Sequence, residues 1–156
     1  MNEFTAKKLG EVLAFAVVGI ETFEKGKIAL VSVLGEDEVT KLISQSSKHR
    51  DVILKIAGVG NVLDIVNKKL EGTGMKLRAM RDLYVGDQWD NPTELLEWSG
   101  FFEGAAVVHW SLVKGAGERT NNQEIKNLAE EAFALHKEIL DMAITQLHNV
   151  GMKKSV

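Results

Sequence analysis

Residues 98–114 read WSGFFEGAAVVHWSLVK, a nearly uncharged stretch that is typical of the interior of a helical bundle. Before its final lysine it carries one acidic residue, Glu103, and one histidine, His109. A helix that is apolar on nearly all sides is covered on more than one face, as in the middle of a bundle. A carboxylate in such a place loses its hydration and must be paired, protonated or bound to a cation. We therefore expect a helical bundle in which Glu103 is buried and has a partner.

The rest of the chain predicts a bundle of four long helices. Apolar residues recur at three- and four-residue steps over residues 4–34, 38–57, 92–114 and 123–149. Gly35 predicts the end of the first helix, and Asn91-Pro92 predicts the start of the third, with asparagine as N-cap. Glycines interrupt residues 58–91 and predict a crossover made of short helices. The prediction is one all-α domain over residues 1–156, two antiparallel helical hairpins joined by this crossover.

Composition excludes several classes of function. The chain has a net charge of −3 and a pI of about 5.8, which does not favour binding to nucleic acid or to an anionic membrane surface. It contains no cysteine, which excludes disulfides, thiolate metal ligands and a cysteine nucleophile. The apolar run at residues 12–20 is too short to cross a bilayer, and the N-terminal segment has an acidic residue at position 3 and no apolar run long enough for export. These features predict a cytoplasmic protein.

Hairpin geometry brings four ionisable side chains to matching heights. Residues equally far from the turn of an antiparallel hairpin lie side by side. Glu21 and His49 are equally far from Gly35, and Glu103 and His136 are equally far from a turn near residues 119 and 120. We expect these four groups to converge in the interior, with Glu24, one turn from Glu21, as a reserve ligand. The pattern leaves two interpretations open: a metal site, or a buried glutamate–histidine pair between Glu103 and either His136 or His109.

The sequence resembles the rubrerythrin and ferritin-like di-iron proteins. That family places one glutamate on the first and third long helices and a Glu-x-x-His motif on the second and fourth. The stretches ISQSSKHRDVI and AEEAFALHKEIL are similar to these motifs, with histidines at His49 and His136, and Glu21 and Glu103 match the lone glutamates. Ser46 and Phe133 stand where the motifs require glutamate. If a metal is bound, we therefore expect one ion rather than two.

The resemblance implies a function, and the departures from it supply an alternative. The implied protein binds iron, or another divalent metal such as manganese or zinc, and handles oxygen or peroxide as an oxidoreductase with an external electron donor. The alternative is a metal-free dimeric bundle that acts as a structural or interaction module. A homodimer is expected in either case, since one bundle covers only part of the apolar third helix. The sequence identifies neither a catalytic residue nor a substrate.

Overall fold

The computed structural model describes residues 1–155, and every regular element within this range is a helix. The chain order is α1 (Glu3–Lys25), α2 (Lys27–Leu34), α3 (Glu36–Val59), α4 (Leu63–Val85), α5 (Pro92–Arg119) and α6 (Gln123–Lys154). The all-α fold predicted from the sequence is therefore confirmed. None of these helices combines the length and the apolar character needed to cross a membrane.

Asparagine side chains begin three of the helices. Asn2, Asn91 and Asn122 each accept a hydrogen bond from a backbone N–H in the first turn of the helix that follows, which satisfies a donor that the helix leaves free. Pro92 occupies the first position of α5, as predicted. Between α2 and α3, Gly35 has φ of 86°, a conformation that other residues rarely adopt. These local signals position the helix boundaries that the sequence predicted best.

The first long helix is divided, which corrects the prediction of a continuous helix over residues 4–34. It breaks at Gly26, between α1 and α2. A Cβ atom at this position would lie 2.7 Å from a methyl carbon of Leu95, so a larger residue here would require the Leu95 side chain to shift. The boundary between α1 and α2 thus lies at a point of close approach to α5.

The crossover holds one long helix, α4, instead of the predicted short pieces. Gly72 and Gly74 remain helical inside it, although glycine in a helix interior is unfavourable by ~1 kcal/mol relative to alanine. Packing explains the difference, because α4 lies along α1 at Gly10, where an added Cβ would lie 2.5 Å from the carbonyl oxygen of Val66. The burial of α4 against α1 outweighs the unfavourable helix propensity of these two glycines.

The remaining helices extend beyond their predicted ends. Helix α3 covers Glu36–Val59 rather than 38–57, and α6 continues past residue 149 to Lys154. Helix α5 does not end at residue 114, because the Gly115-Ala116-Gly117 stretch continues the helix. Gly117 packs so closely on α6 that a Cβ there would lie 2.9 Å from Ile125.

All six helices contribute buried apolar residues to one core. Helix α1 contacts α3, α4 and α5, while α5 packs along α6 and α3 contacts α6. Three ion pairs at seven-residue spacing join α3 to α6, namely Lys41–Glu138, Lys48–Glu131 and Lys55–Glu124. Residue numbers rise along α3 as they fall along α6, so these two helices run antiparallel.

Candidate functional site

The buried glutamate of α5 is paired with a histidine of α6. The carboxylate of Glu103 is hydrogen-bonded to Nδ1 of His136. Both residues are almost completely enclosed, with 2% of Glu103 and 4% of His136 exposed. A buried carboxylate without a partner would be very unfavourable, and this imidazole satisfies it with a charge-assisted hydrogen bond. The expectation that Glu103 is buried and paired is confirmed, and its partner is His136 rather than His109.

His49 of α3 lies close to this pair and is kept neutral. Its ring meets the indole of Trp110 edge-on, with 6.2 Å between the ring centroids. Burial lowers the pKa of His49 to about 4, and the electrostatic interaction with His136 acts in the same direction. At neutral pH the His49 imidazole is therefore uncharged and offers both a donor and an acceptor.

Two polar atoms near His49 have no hydrogen-bond partner among residues 1–155. They are Oε1 of Gln45, one turn before His49, and Nε1 of Trp110. A groove of about 270 Å³ opens beside Gln45 between α3 and α6, lined by Gln45, Lys48, His49, Glu131, Ala134, Leu135 and Glu138. The interior imidazole of His49 thus borders a space that is open to solvent.

Glu21 belongs to a different cluster. Arg78 of α4 donates two hydrogen bonds to its carboxylate, at 2.9 and 2.7 Å, and Arg81 lies 3.5 Å away. The hydrogen bond from Arg78 lowers the pKa of Glu21 in spite of partial burial, and the charge of Arg81 lowers it further. This carboxylate is therefore fully compensated by two guanidinium groups of the crossover helix.

The predicted convergence of four ligands is not formed. Glu103 and His136 meet, with His49 nearby, but Glu21 is held by α4 and Glu24 is exposed. Within residues 1–155, no three histidine, aspartate or glutamate side chains are grouped so that they could hold a metal ion. Equal distance from a turn gives the height of a residue along a hairpin, but it does not give the side of the helix on which the residue lies.

The two motif positions without glutamate are filled by packing. Ser46 is buried in α3, and Phe133 packs against the hydrophobic core from α6. The ring of Phe133 thus occupies space that a carboxylate would take in a full Glu-x-x-His motif. These two positions supply structure to the core instead of ligands.

A second buried carboxylate, Glu11, was not predicted from the sequence. Lys8 donates to it at 2.9 and 3.1 Å, and Lys69 of α4 and Nδ1 of His109 each lie 3.1 Å from it. Burial acts to raise the pKa of Glu11, but the hydrogen bonds from Lys8 and Lys69 outweigh burial and lower it. The signal was present in the sequence, because Glu11 stands among the apolar residues of the first helix.

The chain has no match among family models, curated proteins or solved structures.

Proposed function

We propose that the protein is a cytoplasmic ferritin-like four-helix bundle that acts as a homodimeric interaction module. The observation that carries the proposal is an uncovered apolar face on α5. Phe101 is 63% exposed and Val108 is 62% exposed, two helical turns apart on one side of the helix, and Leu112 follows one turn later. Contiguous apolar surface of this kind marks interaction sites. The partner proposed for this face is a second copy of the chain.

The packing of the long helices supports the ferritin-like part of the proposal. Helices α1, α3, α5 and α6 are long and pack on one another, and the connection between α3 and α5 is a long crossover. This is the connectivity of ferritin-like bundles, which have one long crossover between the second and third bundle helices. Helix α2 follows α1 with only Gly26 between them and extends the first bundle helix.

The charged side chains inside the bundle support a structural role. Glu103 is paired with His136, Glu21 with Arg78 and Arg81, and Glu11 with Lys8, Lys69 and His109. Each of these three carboxylates therefore already has a protein partner of its own. Such pairing stabilises an interior that would otherwise contain isolated charges.

The residues present do not fit the di-iron centre that the resemblance implies. Glu21 would have to leave two arginines, Glu24 faces solvent, and Phe133 takes the place of a chelating glutamate. Iron, manganese or zinc binding, and an oxidoreductase activity with an external electron donor, stay predictions of the sequence. Elemental analysis of untagged protein tests them, and one or more equivalents of metal per chain would replace this proposal with a metal-binding function.

Sedimentation velocity tests the proposed homodimer. We expect the wild-type chain to sediment as a dimer at tens of micromolar. The Val108→Lys variant introduces a charge into the apolar face of α5 and should sediment as a monomer. Ile144→Lys is the matched control, because Ile144 is 58% exposed on α6 and a charge there should leave the dimer intact. A monomeric wild-type chain would overturn the proposal.

A further inference from the structure

The exposed face of α5 is symmetric in a way that predicts how two copies would meet. Seven residues at three- and four-residue steps share this face: Glu97, Phe101, Gly104, Val108, Leu112, Gly115 and Arg119. Val108 is the central one, with three residues before it and three after it at matching distances. In an antiparallel contact with two-fold symmetry about Val108, each residue before the centre meets the residue equally far after it in the other copy.

This pairing places large side chains opposite small ones. Phe101 of one copy meets Gly115 of the other, and Gly104 meets Leu112. A Cβ atom added at Gly104 or Gly115 would have no neighbouring atom within 4 Å among the described residues. The space above each glycine is therefore open to a side chain from outside the chain, as close packing of two helices requires.

A groove lies where the ring of Phe101 would enter. It measures about 350 Å³ and is formed between the start of α1 and the end of α5, with Phe4, Leu112, Gly115 and Ala116 in its lining. Phe4 is 54% exposed beside it. The Phe101 ring and this apolar groove thus lie on the same surface of the chain. The two-fold operation places the Phe101 ring of each copy at the groove of the other copy.

Charge at the two ends of the face selects the antiparallel orientation. Glu97, which accepts a hydrogen bond from the hydroxyl of Tyr84, meets Arg119 of the other copy in this arrangement. In a parallel arrangement the glutamates would meet each other, as would the arginines. Complementary charge of this kind contributes more to orientation and specificity than to affinity.

We propose that two copies of the chain pack α5 against α5, antiparallel about a two-fold axis at Val108, with Phe101 inserted over Gly115 and Glu97 paired with Arg119. This inference rests on the proposed homodimer and deepens it, because it names the contact surface and its register. A shallow crossing angle, about 20°, keeps the two helices in contact over several turns.

Cysteine cross-linking tests the register directly, because the native chain has no cysteine. Val108→Cys places two thiols next to each other at the axis, and we expect a short bis-maleimide to convert it to a covalent dimer. Val59→Cys, at a position 80% exposed near the end of α3, is the matched control and should stay uncross-linked. Circular dichroism and sedimentation of both variants establish that they remain helical and retain the dimer.

Charge reversal tests the orientation independently. Glu97→Arg and Arg119→Glu should each raise the dimer dissociation constant several-fold, and the double variant should return it toward the wild-type value. If the wild-type chain is a dimer but Val108→Cys does not cross-link and the double variant does not recover affinity, the register is overturned while the homodimer stands. If the wild-type chain is a monomer, both proposals fail.

Discussion

The imidazole of His136 on α6 is hydrogen-bonded to the carboxylate of Glu103 on α5, and both side chains lie in the bundle interior. This pair joins the two helices that follow the crossover. A buried pair of this kind is weak evidence of net stabilisation, yet removing one partner leaves the other unsatisfied. Its main consequence is that α5 and α6 pack in one defined register.

Loss of the Glu103 carboxylate should destabilise the protein strongly. We expect Glu103→Ala to lower the free energy of unfolding by about 3–5 kcal/mol, since it leaves His136 buried without a partner and creates a cavity. Glu118→Ala, an exposed change on the same helix, should alter it by less than about 0.5 kcal/mol. Urea unfolding followed by circular dichroism measures both, and equal effects would contradict a structural role for the pair.

Stability should fall as His49 becomes protonated. The pKa of His49 is about 4 in the folded chain, whereas an unperturbed histidine has a pKa of 6.5. The unfolded chain therefore binds a proton at His49 more readily than the folded chain does. The free energy of unfolding therefore carries no penalty from His49 above pH ~6.5. It decreases as the pH falls toward the pKa of His49 in the folded chain. The expected loss across this window is about 2–3 kcal/mol at ~1.4 kcal/mol per pKa unit.

Variants isolate the contribution of His49 from that of the carboxylates. We expect His49→Gln to show a flatter dependence of unfolding free energy on pH between neutrality and pH ~4.5. His148→Gln, at an exposed histidine of α6, should follow the wild-type curve. A parallel decline in all three proteins would show that other groups cause the acid sensitivity.

Two glycine-to-alanine changes should act in opposite directions. Gly10→Ala places a Cβ 2.5 Å from the Val66 carbonyl oxygen, so α1 and α4 must separate and stability should fall by about 1–3 kcal/mol. Gly72→Ala meets no atom within 4 Å inside helix α4, and should stabilise by roughly 0.5–1 kcal/mol through helix propensity. Thermal unfolding of the two variants checks the signs, and a stabilised Gly10→Ala variant would refute the close contact.

The ion pairs between α3 and α6 should contribute little energy. Lys48 and Glu131 lie 2.9 Å apart but are mostly exposed, with 62% and 54% of their side chains accessible. A double-mutant cycle with Lys48→Ala and Glu131→Ala should give a coupling free energy below about 1 kcal/mol, decreasing as salt is added. A larger coupling that persists in high salt would indicate a tighter interaction than the geometry shows.

Much of the fold could be predicted from residues close together in the sequence. The caps at Asn91 and Asn122, the turn at Gly35 and the three- and four-residue spacing of apolar residues are local features, and helix boundaries respond to them. Glu103 was also predictable as a buried, paired group, because it is the one acidic residue in the apolar stretch 98–113. The sequence left His136 and His109 open as its partner, and the structure shows that it is His136.

The candidate site depended on contacts that local patterns do not contain. Glu21 pairs with Arg78 and Arg81, which lie on a crossover helix that glycines had appeared to divide. Gly10 and Gly26 look like ordinary interruptions until α4 and Leu95 are packed against them.

Sequence patterns alone are thus sufficient for the all-helical fold, for the starts of α5 and α6, and for the need of Glu103 for a partner. Packing between helices is needed to explain why Glu21 turns toward the arginines of α4, why His49 lies beside Trp110, and why one face of α5 is left uncovered. Helix propensity and capping depend on neighbours along one helix, so they can be read from local sequence. The rotation of each helix about its axis, which selects side-chain partners, depends on packing between helices that are distant in sequence.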